Sequence, residues 1–391
     1  MTLRDELVAR AVALQPLLRE HAARTEADRR VPQEVVEAIT RAGLFRLGTP
    51  RRYGGHEAGM RTLLEVSAAL AEGDGSISWV VSLVNACTWV AGLFPVQAQD
   101  DVFGADPDAR VTGVLAPTAT ALAVDGGGWR VSGRWYYNSG SWQATWAVLG
   151  VPLTDAAGEV VDQAVVLVPR EDLQVEDTWF VAGMKGTASN CLVASEVFVP
   201  AHRVLSVPAA VAGEFATEQK DEPFYRSGFV PVLALTLVGP QLGLGKAALD
   251  HVVANAARKP VANTVYGTQA ESVALQLKLA EAALKVETAR LHAERTADAI
   301  DRAAAQGGYP DPAERAHFRA ATAWAVQNTL EAITILLDVH GAGAFAETSP
   351  LQRIWRDANT AGRHALAVPT VGYEVYGKSL LGIDDTITPL V

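Results

Sequence analysis

The residues that could do chemistry are few and far apart in the chain. His364 closes the run Arg356-Asp357-Ala358-Asn359-Thr360-Ala361-Gly362-Arg363-His364. An imidazole with a reference pKa of about 6.5 exchanges protons at neutral pH, although a histidine here could also be structural. Ser139 stands in Asn138-Ser139-Gly140, where its hydroxyl either meets a ligand or forms a turn. Trp135, Tyr137 and Trp146 set aromatic surface around it, suited to stacking or to packing within strands. Arg258 and Lys259 make a basic pair, for a phosphate or for solvent. His340-Gly341-Ala342-Gly343 permits close backbone approach or a helix C-cap. No strand precedes it, so it is not a dinucleotide fingerprint.

These groups need a scaffold, and the composition supplies one. A chain of 391 residues exceeds what a single core supports, so two or three domains are expected. Apolar residues make up 49% and charged residues 20%, which suits a folded protein and not a disordered one. A net charge of −11 repels phosphate backbones and anionic lipid surfaces, so neither nucleic acid nor membrane is an expected partner. Cys87 and Cys191 are too few for a disulfide framework or a structural zinc site, and no metal is implied. Arg4, Asp5 and Glu6 have no apolar stretch behind them, which argues against a secretion signal and for a cytoplasmic location. The apolar run Trp79 to Phe94 is short for a bilayer span and reads as a buried helix.

The periodicity predicts an α+β multidomain chain in three parts. Residues 1–110 are helical: Val35, Val36 and Ile39 form one apolar stripe, Leu63, Val66 and Leu70 another, and Gly43 and Glu72-Gly73-Asp74-Gly75 interrupt them. Residues 111–205 change to short strands, making a β-barrel or sandwich. Trp129 to Val131, a Ser132-Gly133 turn, and Arg134 to Asn138 read as a hairpin there. Ala164 to Val168 and Val193 to Val199 read as further strands. Residues 206–391 form a four-helix bundle. Val273, Leu277, Ala280, Leu284 and Leu291 line the core face of one long helix, and Val326, Leu330, Ile333 and Leu337 that of another.

This order, with certain motifs, resembles the acyl-CoA dehydrogenase family. Tyr53-Gly54-Gly55 and Ala68 to Ser76 resemble its N-terminal signature, Gly133 to Gly140 its flavin-ring segment, and Arg356-Asp357-Ala358 the start of its last catalytic helix. A dehydrogenase needs a carboxylate base. The two positions where the family carries it are Ala365 and Leu233 in this chain, which disfavours acyl-CoA dehydrogenation. The spacing of His364 resembles instead the flavin-dependent hydroxylases on the same fold, and Gly183 to Asn190 and Tyr373 to Lys378 are similar to that branch.

The resemblance implies the oxygenase component of a two-component monooxygenase, using reduced FMN (FMNH2) and O2 through a flavin C4a-hydroperoxide to hydroxylate a small aromatic substrate. The substrate expected is a phenol or naphthoquinone polyketide, a pyranonaphthoquinone first. His364 would take the phenol proton or hold the transferred oxygen, and Asp357 would pair with an arginine. Ser139 would sit at flavin N5, and Tyr137, Asn138 and Trp135 would bind the ring. Arg258, His340 and Gly341 would approach the cofactor across a subunit boundary, which implies a homotetramer. With no nicotinamide site in the sequence, a separate NAD(P)H:flavin reductase is expected. The substrate pocket would lie between the Trp79 to Phe94 helix and the C-terminal bundle. Two other functions are compatible with the fold: N-hydroxylation of an amino sugar, and a flavin-free binding module.

Overall fold

The computed structural model describes residues 2–391. Helices α1 (Leu3–Asp28), α2 (Gln33–Arg41), α3 (Met60–Ala71), α4 (Gly75–Gly92) and α5 (Val96–Phe103) come first. Their ends follow from local chemistry. Thr2 and Asp5 form a capping box on α1, Gly43 takes the left-handed conformation after α2, and the buried Asp74 carboxylate accepts the Ile77 N–H at the start of α4. Helix α4 is apolar all round because it is buried all round: 94% of it lies inside the fold.

Eight strands follow: β1 (Val111–Val114), β2 (Ala119–Ala123), β3 (Trp129–Asn138), β4 (Trp146–Thr154), β5 (Val160–Pro169), β6 (Gln174–Glu176), β7 (Asn190–Val199) and β8 (Val204–Ser206). They form one sheet in the order β6-β7-β3-β2-β4-β5-β8, with β1 also beside β4. The expected hairpin at Ser132-Gly133 does not form, and β3 runs unbroken through it. Ser132 pairs with Thr120 and Gly133 with Ala119, and a Cβ at Gly133 would lie 2.5 Å from the Ala119 Cβ. This glycine permits close strand approach, not a turn.

Alternation along β4 and β5 divides their side chains between two cores. Ala147, Leu149, Val151, Ala164, Val166 and Val168 point into the β-domain interior, whereas Val148, Val165 and Leu167 point into the helical core. Each such buried Val or Leu contributes roughly 1.5–3 kcal/mol. The helical core is shared, since Leu7 and Ile39 from the first helices belong to the same apolar cluster as Val286, Ile333 and Leu351 from the last.

Short helix α6 (Val207–Val211) leads to α7 (Phe229–Thr236), α8 (Val238–Ala256), α9 (Val273–Ala305), α10 (Pro312–His340), α11 (Pro350–Ala361) and α12 (Pro369–Leu380). Asp311 and Glu314 form a capping box on α10, with Pro312 in its first turn. Val326, Ile333 and Leu337 are buried as expected. The stripe predicted for α9 is reversed. Val273, Leu277, Leu284 and Leu291 are 61%, 67%, 63% and 58% exposed, and the core face is Ala282, Val286, Ala289, Ala293, Ala297 and Ile300. The large residues point outward and the small ones inward, because α9 packs closely on its neighbours.

Candidate active site

Strand β3 ends at the most constrained backbone of the β-domain. Tyr137 has φ +72°, a left-handed conformation costly for a bulky residue, next to a register shift in the pairing of β3 with β7. The shift ends where Asn138 pairs with Asn190. Beyond it Thr112 Oγ1 donates to the Ser139 carbonyl at 2.7 Å, and Gly140 N donates to the Thr187 carbonyl at 2.7 Å. The Ser139 turn is therefore clamped against the segment Met184 to Asn190.

Within that clamp Ser139 Oγ accepts from Trp79 Nε1 at 3.1 Å and lies 2.9 Å from Ser189 Oγ, which lies 2.7 Å from Thr187 Oγ1. Trp79 comes from α4, and its indole is also 6.0 Å, centroid to centroid, from the His364 ring. The two residues singled out by sequence for chemistry thus both adjoin one indole.

His364 lies beyond the helix that Arg356-Asp357-Ala358 belongs to. Helix α11 stops at Ala361, and the imidazole occupies the turn before α12. Its Nδ1 accepts from the Leu366 N–H at 3.2 Å, which leaves the proton of the neutral ring on Nε2. Burial first, then the Arg319 guanidinium, push the imidazole down to about 4. Arg319, itself buried on α10, donates to the Leu366 carbonyl at 2.5 Å and so supports the same turn.

The other predicted residues separate. Trp135 is fully buried in the β-domain core and donates through Nε1 to the Gly150 carbonyl at 2.8 Å, so it cannot flank a ligand ring. The irregular end of β3 decides this: alternation would set both on one face, but the register shift and the left-handed Tyr137 break the pleat, so Trp135 points inward while Tyr137 is 71% exposed and stands edge-on to Trp179 at 6.0 Å. Asn138 is buried. Its Nδ2 donates to the Trp135 carbonyl at 2.6 Å, and its Oδ1 has no partner among the described residues. Asp357 does not pair with an arginine. It accepts the Met184 N–H at 2.5 Å, and burial and the nearby Asp74 raise its carboxyl.

A Cβ at Gly183 would lie 2.1 Å from the Arg356 carbonyl oxygen, so glycine is required where this loop meets α11. His340, Gly341 and Lys259 gather at the far end of the bundle, where Lys259 Nζ donates to the His340 carbonyl at 2.5 Å. The exposed Arg258 donates to Ala254 O at 3.3 Å. Among the described residues, no hydrogen bond joins this group to Ser139 or His364.

Several contributors escaped sequence reading. Trp79 was legible only as part of an apolar helix, and Arg319 had no signal beyond a charge in an Ala-rich helix. Thr187 and Ser189 lay in a segment noted for similarity but given no role. Two clefts of about 440 Å³ each open elsewhere on the surface, one beside Thr40 and Trp142, the other beside Trp89 and Asp301. The second is lined mainly by residues 57–63 at the start of α3, with Trp89 of α4 and Asp298, Asp301 and Ala304 of α9. Trp89, however, is ten residues from Trp79, about 15 Å along the helix axis, so this cleft is remote from His364.

The site fits a flavin ring. Ser139 keeps an acceptor position, the orphaned Asn138 Oδ1 could receive a ring N–H, and Tyr137 with Trp179 offers aromatic surface beside them. A helical-β-helical fold with such a hydroxyl and imidazole, and with no carboxylate at Ala365 or Leu233, defines a flavin enzyme of the acyl-CoA dehydrogenase fold specialised away from dehydrogenation.

Known proteins agree. Residues 6–100 and 235–369 match the family profiles described as acyl-CoA dehydrogenase N-terminal domain and C-terminal domain. The chain is 35% identical over 379 residues to the flavin-dependent monooxygenase oxygenase subunit HsaA of Rhodococcus jostii, covering 96% of this chain and 98% of HsaA. It is 35% identical over 389 residues to the FADH2-dependent resorcinol hydroxylase oxygenase component of a Rhizobium species, covering 97% and 94%. The structure of XiaF from a Streptomyces species, in complex with FADH2 and glycerol, superposes with a TM-score of 0.95 at 39% identity, covering 99% of this chain and 97% of XiaF. The chain belongs to the oxygenase components of flavin-dependent monooxygenases built on the acyl-CoA dehydrogenase fold.

Proposed function

We propose that the protein hydroxylates a phenolic aromatic ring, using O2 and reduced flavin delivered by a separate NAD(P)H:flavin reductase. The observation that carries this is the placement of Ser139 and His364 beside one indole, that of Trp79. The bound flavin supplies the oxygen-activating chemistry, and the chain supplies binding, orientation and exclusion of water.

Ser139 holds the polar edge of the ring through its hydroxyl, and Asn138 offers a buried acceptor beside it. His364 is assigned a role different from the base expected from sequence. An imidazole whose conjugate acid has a pKa of about 4 does not draw the proton from a phenol of pKa about 10. The phenol gives its proton to solvent before it binds, and His364, with its own proton on Nε2, donates a hydrogen bond to the phenolate oxygen, stabilising the electron-rich form of the ring.

For the cofactor, reduced FMN is the proposal carried over from the sequence. XiaF and the resorcinol hydroxylase are named with reduced FAD, so the assay takes both. A pyranonaphthoquinone is the first substrate class to test. A homotetramer is part of the reading. The outward stripe of α9 repeats with the four- and three-residue spacing of a helix seam, which suits pairing with a second copy of the chain. A cytoplasmic location accords with two buried cysteines in the free state.

The test is incubation of the chain with chemically or enzymatically reduced flavin, O2 and a panel of phenols. Hydroxylated product is expected from at least one phenol, and rapid NADH oxidation by the chain alone would remove the reductase from the scheme.

A further inference from the structure

Behind Ser139 four side chains and a carbonyl stand in single file. Trp79 Nε1 meets Ser139 Oγ at 3.1 Å, Ser139 Oγ meets Ser189 Oγ at 2.9 Å, Ser189 Oγ meets Thr187 Oγ1 at 2.7 Å, and Thr187 Oγ1 meets the Met184 carbonyl at 2.9 Å. All four side chains are buried. An indole N–H only donates, a carbonyl only accepts, and each hydroxyl carries one proton. One arrangement gives every contact a proton: Trp79 donates to Ser139, Ser139 to Ser189, Ser189 to Thr187, and Thr187 to Met184. The Ser139 proton then points inward, and what remains for a ligand is a lone pair.

We propose that Thr187 and Ser189 are positioning residues that fix the direction of the Ser139 hydroxyl, so that the site favours reduced flavin over oxidised flavin. This rests on the reading of Ser139 as the neighbour of flavin N5. In the reduced ring N5 carries a hydrogen and donates, matching the lone pair. In the oxidised ring N5 is a bare acceptor, and Ser139 must turn its proton outward to meet it.

The file can reverse only in part. Ser189 would turn to Ser139 and Thr187 to Ser189, and the Met184 carbonyl would lose its hydroxyl donor. That carbonyl keeps the Trp179 indole at 2.8 Å, so reversal costs one hydrogen bond and does not strand a buried acceptor. One net hydrogen bond corresponds to a preference of roughly threefold to tenfold. The surrounding clamp keeps the hydroxyls in line, with Gly140 N on the Thr187 carbonyl and Ser141 Oγ on the Ala188 carbonyl, both at 2.7 Å.

The experiment compares full-length wild type with Thr187→Val, Thr187→Ser and Ser189→Ala. Oxidised flavin is titrated in air and reduced flavin without oxygen, using FMN and FAD, and the midpoint potential of the bound flavin is measured. Either Thr187→Val or Ser189→Ala frees Ser139 to donate outward. The ratio of oxidised to reduced dissociation constants should therefore fall roughly threefold to tenfold, and the midpoint potential by about 15–30 mV for a two-electron couple. Thr187→Ser keeps the terminal hydroxyl and should retain the wild-type ratio.

An unmoved ratio in Ser189→Ala, or in a folded Thr187→Val, overturns the proposal while leaving flavin binding at Ser139 intact. So does a shift in Thr187→Ser as large as that in Thr187→Val. A wild-type chain that binds neither redox state overturns the flavin reading and the proposal together.

Discussion

The indole of Trp79 donates to the Ser139 hydroxyl at 3.1 Å across 60 residues of chain. Tryptophan cannot accept a hydrogen bond through this group, so the contact has one polarity whatever else binds. The same indole has its ring centroid 6.0 Å from that of His364, so one side chain adjoins both the hydroxyl and the imidazole.

Trp79→Phe keeps an aromatic ring there and removes the N–H. The yield of hydroxylated product per reduced flavin should fall roughly fivefold to tenfold, with hydrogen peroxide rising in compensation. Chromatography of the product alongside a peroxide assay reads both, and an unchanged ratio would show that the contact has no part in coupling.

His364→Ala should lower product formation by about two orders of magnitude, the usual range for losing a positioned donor or acid–base group. His364→Asn should retain more activity than His364→Ala, since its amide still donates. In the wild type, kcat/KM should rise with pH toward the pKa of the phenol used and show no inflection near pH 6.5. An inflection there that vanishes in His364→Asn would reinstate the imidazole as a base.

The same histidine affects stability. Its folded pKa of about 4 lies below the unfolded value of about 6.5, so the unfolded chain binds more protons between these pH values. Stability is therefore lost as pH falls through that window. Replacing His364 by Asn should shrink the drop in Tm between pH 7 and pH 4.5, measured by calorimetry; an equal drop in both proteins would contradict the buried, neutral imidazole.

Asp357 works in the opposite direction. Its carboxyl is raised by burial and by Asp74, so the folded chain holds the proton more tightly, and stability is lost as pH climbs above the ordinary carboxylate pKa of about 3.9. Asp357→Asn keeps an acceptor for the Met184 N–H and removes that loss. The Tm of the variant relative to wild type should increase from pH 5 to pH 8.

On α9, Leu277→Glu combined with Leu284→Glu places charge in the outward stripe. Because both side chains are more than 60% exposed within one subunit, the subunit should remain folded while the assembly dissociates. Sedimentation velocity measures this, and a mass unchanged by the double substitution would exclude the stripe as an interface.

The sequence alone determined the order of helical, β and helical parts, because hydrophobic period and breaking residues are local properties. It also marked Ser139 and His364, whose neighbours in the chain form recognisable motifs. Tertiary structure decided the rest. Exposure could not be read from the α9 stripe, since the same spacing suits a core or an interface, and only packing showed that alanines face inward. Gly133 looked like a turn because a glycine's effect depends on whether a second strand lies against it. The role of His364 depended on a backbone N–H two residues away and a guanidinium 45 residues earlier, contacts that a folded turn creates and a motif does not contain. Hydrogen-bond direction and burial are relations between groups brought together in space, and those relations, not residue types, set the chemistry of this site.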